Sequence, residues 1–308
     1  MSHTPANLFP VSSYIGRFAP SPTGELHFGS LLAALASYLE ARKSAGCWLL
    51  RMEDLDKPRE VAGSADLIIS ELAQWGMHSD GAVLYQKQRN AAYQAACKVL
   101  IEQDLAYWCG CSRSELAESG IYPGTCSKGL PAGKKPRTLR LRTADCAIEF
   151  EDGIQGPISQ QLQLECGDFV IWRADGVFAY QLAVVVDDAF QQVTDIVRGA
   201  DLLDSTPRQI WLQRCLGVPQ PRYAHIPVAV QADGRKLSKR IQSDPLRASD
   251  LLRSLRLALQ FLGHEAPAMD WHGTWEWAFQ NWDSALIPRC RSQALDAVCQ
   301  SSGKHQEQ

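Results

Sequence analysis

Three groups of residues in this chain have types and spacings that suit chemistry. The first is the segment PSPTGELHFGS, residues 20–30, lying between a strand-like YIGRF (14–18) and the apolar pattern SLLAALASYLEARK. A helix N-terminus offers unpaired N–H groups and a partial positive charge, so this loop suits a phosphate. Gly24 and Gly29 let a ligand approach the backbone, and His27 can donate a hydrogen bond to a phosphate oxygen. Taken alone, a His ahead of a helix is more often a cap or a core residue. The second group is GRKLSKR, residues 234–240, in which Lys236 and Lys239 lie three apart after a strand-like stretch. Two mobile point charges of this kind suit a polyphosphate leaving group. Taken alone they also describe a solvated basic turn. The third is Cys109-Gly110-Cys111 followed by Cys126. Three cysteines in a Gly-rich turn region suggest zinc, which needs a fourth ligand. No His lies nearby. Cys146 is one candidate, and free buried thiols are the alternative.

These groups need elements to hold them. The 14–18 strand, the 20–30 loop, a helix with Ser30 as its cap, and the strand CWLLRME form a β–loop–α–β unit, the building block of a doubly wound parallel sheet. Helices are expected from Gly63-Ser64 to Gly76 and over about 88–103. Residues 106–164 are rich in Cys, Gly and Pro with alternating stretches such as TLRLRT and AIEF, which reads as a β-rich insertion. Strand-like DFVIWR and VTDIVRG, a helix over 206–216 and an apolar strand HIPVAVQ (225–231) follow. After Arg240 the reading is helical, with Ser243-Asp244-Pro245 as a cap and Leu251, Leu252, Leu255, Leu259 and Leu262 as an apolar stripe.

The bulk composition narrows the class. The chain has 308 residues, 45% hydrophobic and 21% charged, an ordinary globular balance with room for a sizeable core. The net charge of -3 does not announce a nucleic-acid binder, yet residues 128–142 carry six basic residues and no acid. That stretch is either a phosphate-contacting face or a solvated loop. The start lacks a secretory signal pattern, and no run approaches the ~18 apolar residues of a membrane helix. The ten cysteines therefore point to the reducing cytoplasm, as core fillers or metal ligands. No membrane association is expected. No Walker A sequence or GxSxG elbow is present.

The first two groups together resemble the HIGH and KMSKS signatures of class I aminoacyl-tRNA synthetases. Between them RFAPSPTGELHFG, LRMEDLDKPRE, the Cys-x-Cys near 110, FAYQLAVVVDD, IVRGADLLDSTPRQI and YAHIP…GRKLSKR run colinear with a glutamyl-tRNA synthetase catalytic core, over roughly residues 14–245. The resemblance implies an α/β fold: a split Rossmann core with a β-rich zinc-bearing insertion and a short helical C-terminal subdomain. Its boundaries would be 1–105 and 165–242 for the core halves, 106–164 for the insertion and 243–308 for the helical part. It implies ATP with Mg²⁺ and L-glutamate as reactants. Arg17 and Arg198 would engage the glutamate carboxylates, Ser21 and Glu53 the ammonium side. Tyr180 would supply the pocket hydroxyl, and Phe18, Ala19 and Pro20 would also bind glutamate. His27, Lys236 and Lys239 would be catalytic, and His27, Gly29, Ser30 and Lys239 would bind ATP. Asp187 and Asp188 receive no role. The spacing of the Cys group with Tyr122 is similar to the glutamyl-queuosine tRNA(Asp) synthetases, in which a Tyr completes a single structural zinc site. That branch implies glutamyl transfer to queuosine of tRNA(Asp) by a monomer, because the tail after Lys239 is too short for an anticodon-binding domain. The alternatives are a minimal enzyme charging a tRNA 3′ end and a catalytically silent RNA-binding paralogue.

Overall fold

The computed structural model describes residues 14–112, 115, 121–143, 145, 147–235 and 251–295. Lys236, Lys239, Cys146 and the Ser243-Asp244-Pro245 cap lie outside them. In chain order the first part is β1 (Ile15–Phe18), α1 (Phe28–Lys43), β2 (Cys47–Met52), α2 (Ser64–Gln74), β3 (Leu84–Tyr85), α3 (Asn90–Glu102) and β4 (Ala106–Cys109). There follow β5 (Thr138–Leu141), β6 (Ala147–Asp152), β7 (Gly156–Gln161), the one-turn α4 (Leu162–Glu165) and β8 (Phe169–Trp172). The last part is α5 (Tyr180–Phe190), β9 (Asp195–Gly199), α6 (Thr206–Leu216), β10 (Arg222–Ile226), β11 (Val228–Val230), α7 (Leu251–Phe261), α8 (Trp271–Asn281) and β12 (Ser292–Ala294).

β1, β2 and β3 pair in parallel, as do β9 and β10, with β6 against β10 and β7 antiparallel at the edge. The two sets meet where β1 lies beside β9. The Ile15 amide donates to Thr194 Oγ1 at 2.8 Å, and the Thr194 amide to the Ile15 carbonyl at 2.9 Å. From β1 the chain winds outward to β2 and β3, then returns on the other side to β9 and β10. The join of β1 and β9 is thus a topological switch point, and ligands of such sheets bind outside the carboxyl ends of the strands there.

α1 crosses this join. It packs on β1, β2 and β9 with one side and on α7 and α8 with the other. That is why Leu31, Leu32, Ala34, Leu35, Ala36 and Leu39 are all buried, so that apolar residues surround the helix rather than forming a stripe. Trp282, just after α8, donates its indole N–H to Glu40 Oε2 at 2.7 Å and fastens the C-terminal helices to the core. On α7 the buried residues include Leu255, Ala258, Leu259 and Phe261. Among the described residues no helix is long and apolar enough to cross a membrane.

Four sequence readings need correction or refinement. α1 begins three residues early, at Phe28, and is capped by His27 rather than Ser30: the His27 Nδ1 accepts the Ser30 amide at 3.2 Å. The apolar stretch 225–231 is two strands, β10 and β11, because Pro227 has no N–H to continue a ladder. The segment after Arg240 is not all helical, since β12 pairs in parallel with β11. The β-rich segment is shared between two sheets. β4 and β5 join β8 in an antiparallel sheet, while the β6–β7 hairpin extends the core sheet along β10.

The turn from α1 into β2 is tight at Gly46, whose amide bonds the Ala41 carbonyl at 2.8 Å. A Cβ there would stand 2.5 Å from the Tyr14 carbonyl oxygen and 2.7 Å from Tyr14 Cβ. Gly46→Ala is therefore expected to destabilise the protein by ~1–3 kcal/mol through overpacking against the start of β1. Urea unfolding measures this, and an unchanged midpoint would show that Tyr14 yields freely.

Candidate active site

The residues named from the sequence converge on one cavity of about 600 Å³ at the carboxyl ends of β1, β2 and β9. Arg17, Phe18, Ala19, Pro20, Ser21, His27, Gly29, Ser30, Glu53, Tyr180 and Arg198 all line it. The 20–27 loop is held from both sides. Glu53 N donates to the Pro20 carbonyl at 2.9 Å, and the Ser64 hydroxyl at the start of α2 bonds both the Gly24 amide and carbonyl at 2.8 Å. Glu71 Oε2, one helical face further along α2, accepts the Leu26 amide at 2.9 Å. Gly24 needs its φ of 121°, which favours glycine. Gly29 has a different use: a Cβ would stand 3.2 Å from the His27 ring. The His27 imidazole turns back over its own helix, with Nδ1 on the Ser30 amide and Nε2 3.1 Å from Ser30 Oγ.

The cavity floor is a cluster of buried charges. Arg17, 3% exposed on β1, donates from Nε to Asp188 Oδ1 at 3.3 Å. Arg51 on β2 donates from Nη1 to the same oxygen at 2.7 Å and to Gln191 Oε1 at 2.8 Å, with Nη2 3.5 Å from Glu53 Oε1. Burial works against the Asp188 carboxylate, but Arg51 and Arg17 outweigh it and hold its pKa below the ordinary value. Burial lowers the Arg17 pKa and raises those of Glu53 and Tyr180. Behind this cluster Asp187 accepts from the Tyr93 hydroxyl at 2.6 Å, Gln86 Nε2 at 3.0 Å and Arg89 Nε at 3.0 Å. Asp187, Asp188 and Arg51 are the residues that sequence reasoning missed. The available signal was two consecutive acids in the apolar run FAYQLAVVVDD, since a buried carboxylate requires paired cations or donors.

Arg198, at the end of β9, is treated differently. Its Nε donates to His225 Nε2 at 3.0 Å, and its Nη2 to Thr206 Oγ1 at 2.9 Å and Gln209 Oε1 at 2.7 Å. Nη1 is buried with no hydrogen-bond partner among the described residues. The cavity thus presents two buried arginines, a carboxylate and a helix N-terminus. It can hold a small molecule with anionic and ammonium groups beside a phosphate.

Cys109, Cys111 and Cys126 form a second, buried group, with their sulfur atoms all within 4.8 Å of one another. The Cys111 and Cys126 sulfurs are 3.7 Å apart, and Tyr122 Oη lies 3.3 Å from the Cys109 sulfur and 3.8 Å from that of Cys111. A tetrahedral zinc with Zn–S of ~2.3 Å separates its sulfurs by about 3.8 Å and sulfur from oxygen by about 3.5 Å. The donor set fits such an ion. The rival fourth ligand, Cys146, lies outside the described residues.

The model of the tRNA synthetases class I (E and Q) catalytic domain matches residues 15–120 and 126–256. The chain belongs to this family. Class I synthetase relatives extend the match nearly end to end. A glutamyl-Q tRNA(Asp) synthetase of Pseudomonas aeruginosa is 51% identical over 285 residues, 91% of this chain and 97% of that protein. One of Dechloromonas aromatica is 51% identical over 291 residues, 90% of this chain and 97% of that protein. In three dimensions the chain superposes on a glutamate tRNA ligase of Elizabethkingia meningosepticum with a TM-score of 0.76. That match has 24% identity and covers 96% of this chain and 70% of the other, so it speaks to fold. The class I synthetase architecture expected from the sequence is the one observed, with a cysteine group able to hold zinc and a short C-terminal helical part.

Replacing Asp188 by Asn leaves two buried guanidinium groups without their shared counter-ion. The loss expected at neutral pH is ~3–5 kcal/mol of stability, read by urea unfolding. Because the folded pKa of Asp188 is depressed, its contribution is complete above the ordinary value of 3.8 and disappears as pH falls below it. The gap between wild type and variant should narrow over that range. A neutral-pH loss under ~1 kcal/mol would show that the arginines are balanced elsewhere.

Proposed function

We propose that the chain activates L-glutamate with ATP and transfers the glutamyl group to queuosine at the wobble position of tRNA(Asp). The observation that carries the pocket's part of this reading is Arg198 Nη1, a buried and unpartnered cationic donor on a residue lining the cavity. An anionic ligand group is what such a donor lacks. The names of relatives half identical across nine-tenths of the chain support the acceptor.

In this reading Arg17 and Arg198 take the two glutamate carboxylates, while Glu53 and Ser21 take the ammonium and Tyr180 closes the pocket. The α-carboxylate oxygen then attacks the α-phosphorus of ATP. A P–O bond forms to the glutamyl carboxylate, the bond to the bridging oxygen breaks, and pyrophosphate leaves. A hydroxyl of the queuosine cyclopentene diol next attacks the glutamyl carbonyl carbon, and AMP departs with the bonding electron pair, a phosphate oxygen of the AMP taking up the hydroxyl proton. No protein nucleophile is needed, so orientation and charge do the work. The α1 N-terminus faces the phosphates. His27 reaches them by giving up its bond to Ser30 Oγ, which then offers its own hydroxyl. Lys236 and Lys239 supply charge to the departing pyrophosphate. Mg²⁺ accompanying ATP would add positive charge on the phosphate oxygens.

The reading predicts ATP–pyrophosphate exchange that depends on glutamate, with glutamine and aspartate poor substitutes. Labelled glutamate should map by nuclease digestion to the anticodon-loop fragment of tRNA(Asp), and vanish when the tRNA lacks queuosine. Label on a 3′-terminal adenosine would replace the acceptor with a tRNA end. No exchange with any of the three amino acids would point to a silent paralogue.

The cysteine group is proposed to hold one structural zinc through Cys109, Cys111, Cys126 and Tyr122. A closed four-ligand site of this kind holds a turn rather than performing chemistry. Metal analysis of protein purified without chelators should give about one zinc per chain, lost in Cys126→Ala. Zinc kept at full occupancy in Tyr122→Phe would pass the fourth place to Cys146 or water.

A further inference from the structure

Asp152 lies outside the cavity, at the end of β6, on a hairpin that contributes no cavity-lining residue. It is nonetheless buried, 1% exposed, against a fully buried His225 on β10. Its two oxygens have separate partners. Oδ1 accepts three backbone amides: Ile154 at 3.1 Å, Gln155 at 2.9 Å and His225 at 3.0 Å. Oδ2 faces His225 Nδ1 at 2.5 Å. On the far side of the same ring, Nε2 meets Arg198 Nε at 3.0 Å and Thr206 Oγ1 at 3.2 Å. Arg198 Nε has only a proton to offer, so His225 Nε2 must accept, and the single proton of the neutral ring must sit on Nδ1. Burial, with Arg198 adjacent, lowers the His225 pKa to about 4, so the ring is neutral at physiological pH. The hairpin turn is fixed in turn: Gln155 Nε2 donates to the His225 carbonyl at 2.8 Å and the Cys290 carbonyl at 3.0 Å.

We propose that Asp152 is a positioning residue for the amino-acid pocket: it holds His225 in the Nδ1–H tautomer, whose free Nε2 lone pair orients the Arg198 guanidinium. The proposal rests on the reading of Arg198 as a glutamate-binding residue. It makes a specific demand on Asp152→Asn. The three amides donate at the Oδ1 place and need an oxygen there, so the carboxamide nitrogen must occupy the Oδ2 place. Its N–H donates to Nδ1, the ring proton moves to Nε2, and a donor then faces the Arg198 Nε–H. Size and backbone bonds are conserved, while the orientation of the arginine is not.

The test combines spectroscopy and kinetics on the full chain. Ring ¹⁵N spectra of histidine-labelled protein should show His225 protonated at Nδ1 in the wild type and at Nε2 in Asp152→Asn. In glutamate-dependent exchange, Asp152→Asn should raise KM for glutamate about 10- to 100-fold, the range expected when a buried donor loses its acceptor. KM for ATP and the melting temperature should stay near wild type. In a His225→Phe background, whose ring carries no donor or acceptor to set, Asp152→Asn should change KM for glutamate by less than about two-fold, the mark of two residues acting through one another. An Nε2–H ring in the wild type overturns the proposal. So does a variant that keeps the wild-type KM for glutamate, or one that raises both KM values together while melting early, as a merely structural residue would. Absence of exchange in the wild type overturns the functional reading instead, and the ring spectra then decide the Asp152–His225–Arg198 relay alone.

Discussion

Three buried guanidinium groups, Arg17, Arg51 and Arg198, meet two carboxylates, Asp188 and Glu53, beneath one cavity. Desolvating charges at this density is costly unless each is paired and hydrogen-bonded, so the surrounding fold must deliver the partners accurately. Asp188 arrives from α5, Arg17 from β1 and Arg51 from β2, and one oxygen of Asp188 serves both arginines. The neighbouring Asp187 is saturated separately by Tyr93, Gln86 and Arg89. Of the three arginines, Arg198 alone has no carboxylate partner, and its Nη1 has no hydrogen-bond partner among the described residues.

The elements around the cluster fix its geometry through hydrogen bonds and buried packing. β1 and β9 are tied at Ile15 and Thr194, which brings Arg17 and Arg198 to the same end of adjoining strands. α1 buries apolar residues around its circumference against sheet and helices, which sets the direction of its N-terminus relative to that end. The cysteine group sits at the end of β4 and is tied to the β4–β5–β8 sheet through Arg140. That arginine covers the Tyr122 ring at 3.8 Å and donates to the Asp168 carbonyl at 2.7 Å. Only Tyr107, Cys109, Cys111, Tyr122 and Cys126 form the buried cluster there, with Leu130 packed against it, and its donor atoms are spaced to fit a metal ion.

Arg17, Ser21, Glu53, Tyr180 and Arg198 were legible through the family resemblance, because they stand in short segments that match it: RFAPS, RMED, FAYQLA and IVRGAD. By residue type alone Arg17 and Glu53 read as strand-edge charges and Tyr180 as a core aromatic. The elements were legible where periodicity and glycine punctuation coincide, as in α2 after Gly63 and α6 over Thr206–Leu216. The failures have local causes. His27 is a rare cap, so the eye passes to Ser30, a common one. Apolar residues on both sides of Pro227 read as one strand although the proline must divide them. β12 is three residues long and pairs only through tertiary contact with β11. Arg51, Asp188, Asp152 and His225 act through partners 27 to 171 positions distant, which no local pattern encodes.

The two pocket arginines show how burial and availability are reconciled. Arg17 is held by a carboxylate, so part of its charge is already spent on Asp188. Arg198 is held by a neutral imidazole, a hydroxyl and an amide oxygen. A carboxylate in the place of His225 would orient Arg198 equally well, but it would neutralise the guanidinium and compete with the ligand for it. A neutral acceptor fixes direction and leaves the charge for the incoming anion. An imidazole can fill that role only if its proton is kept on the far nitrogen and a second proton is kept off. Burial keeps the second proton off, and the Asp152 carboxylate keeps the first on Nδ1. The negative charge is thereby placed one ring-width behind the arginine, near enough to set the tautomer and too far to pair with the guanidinium directly.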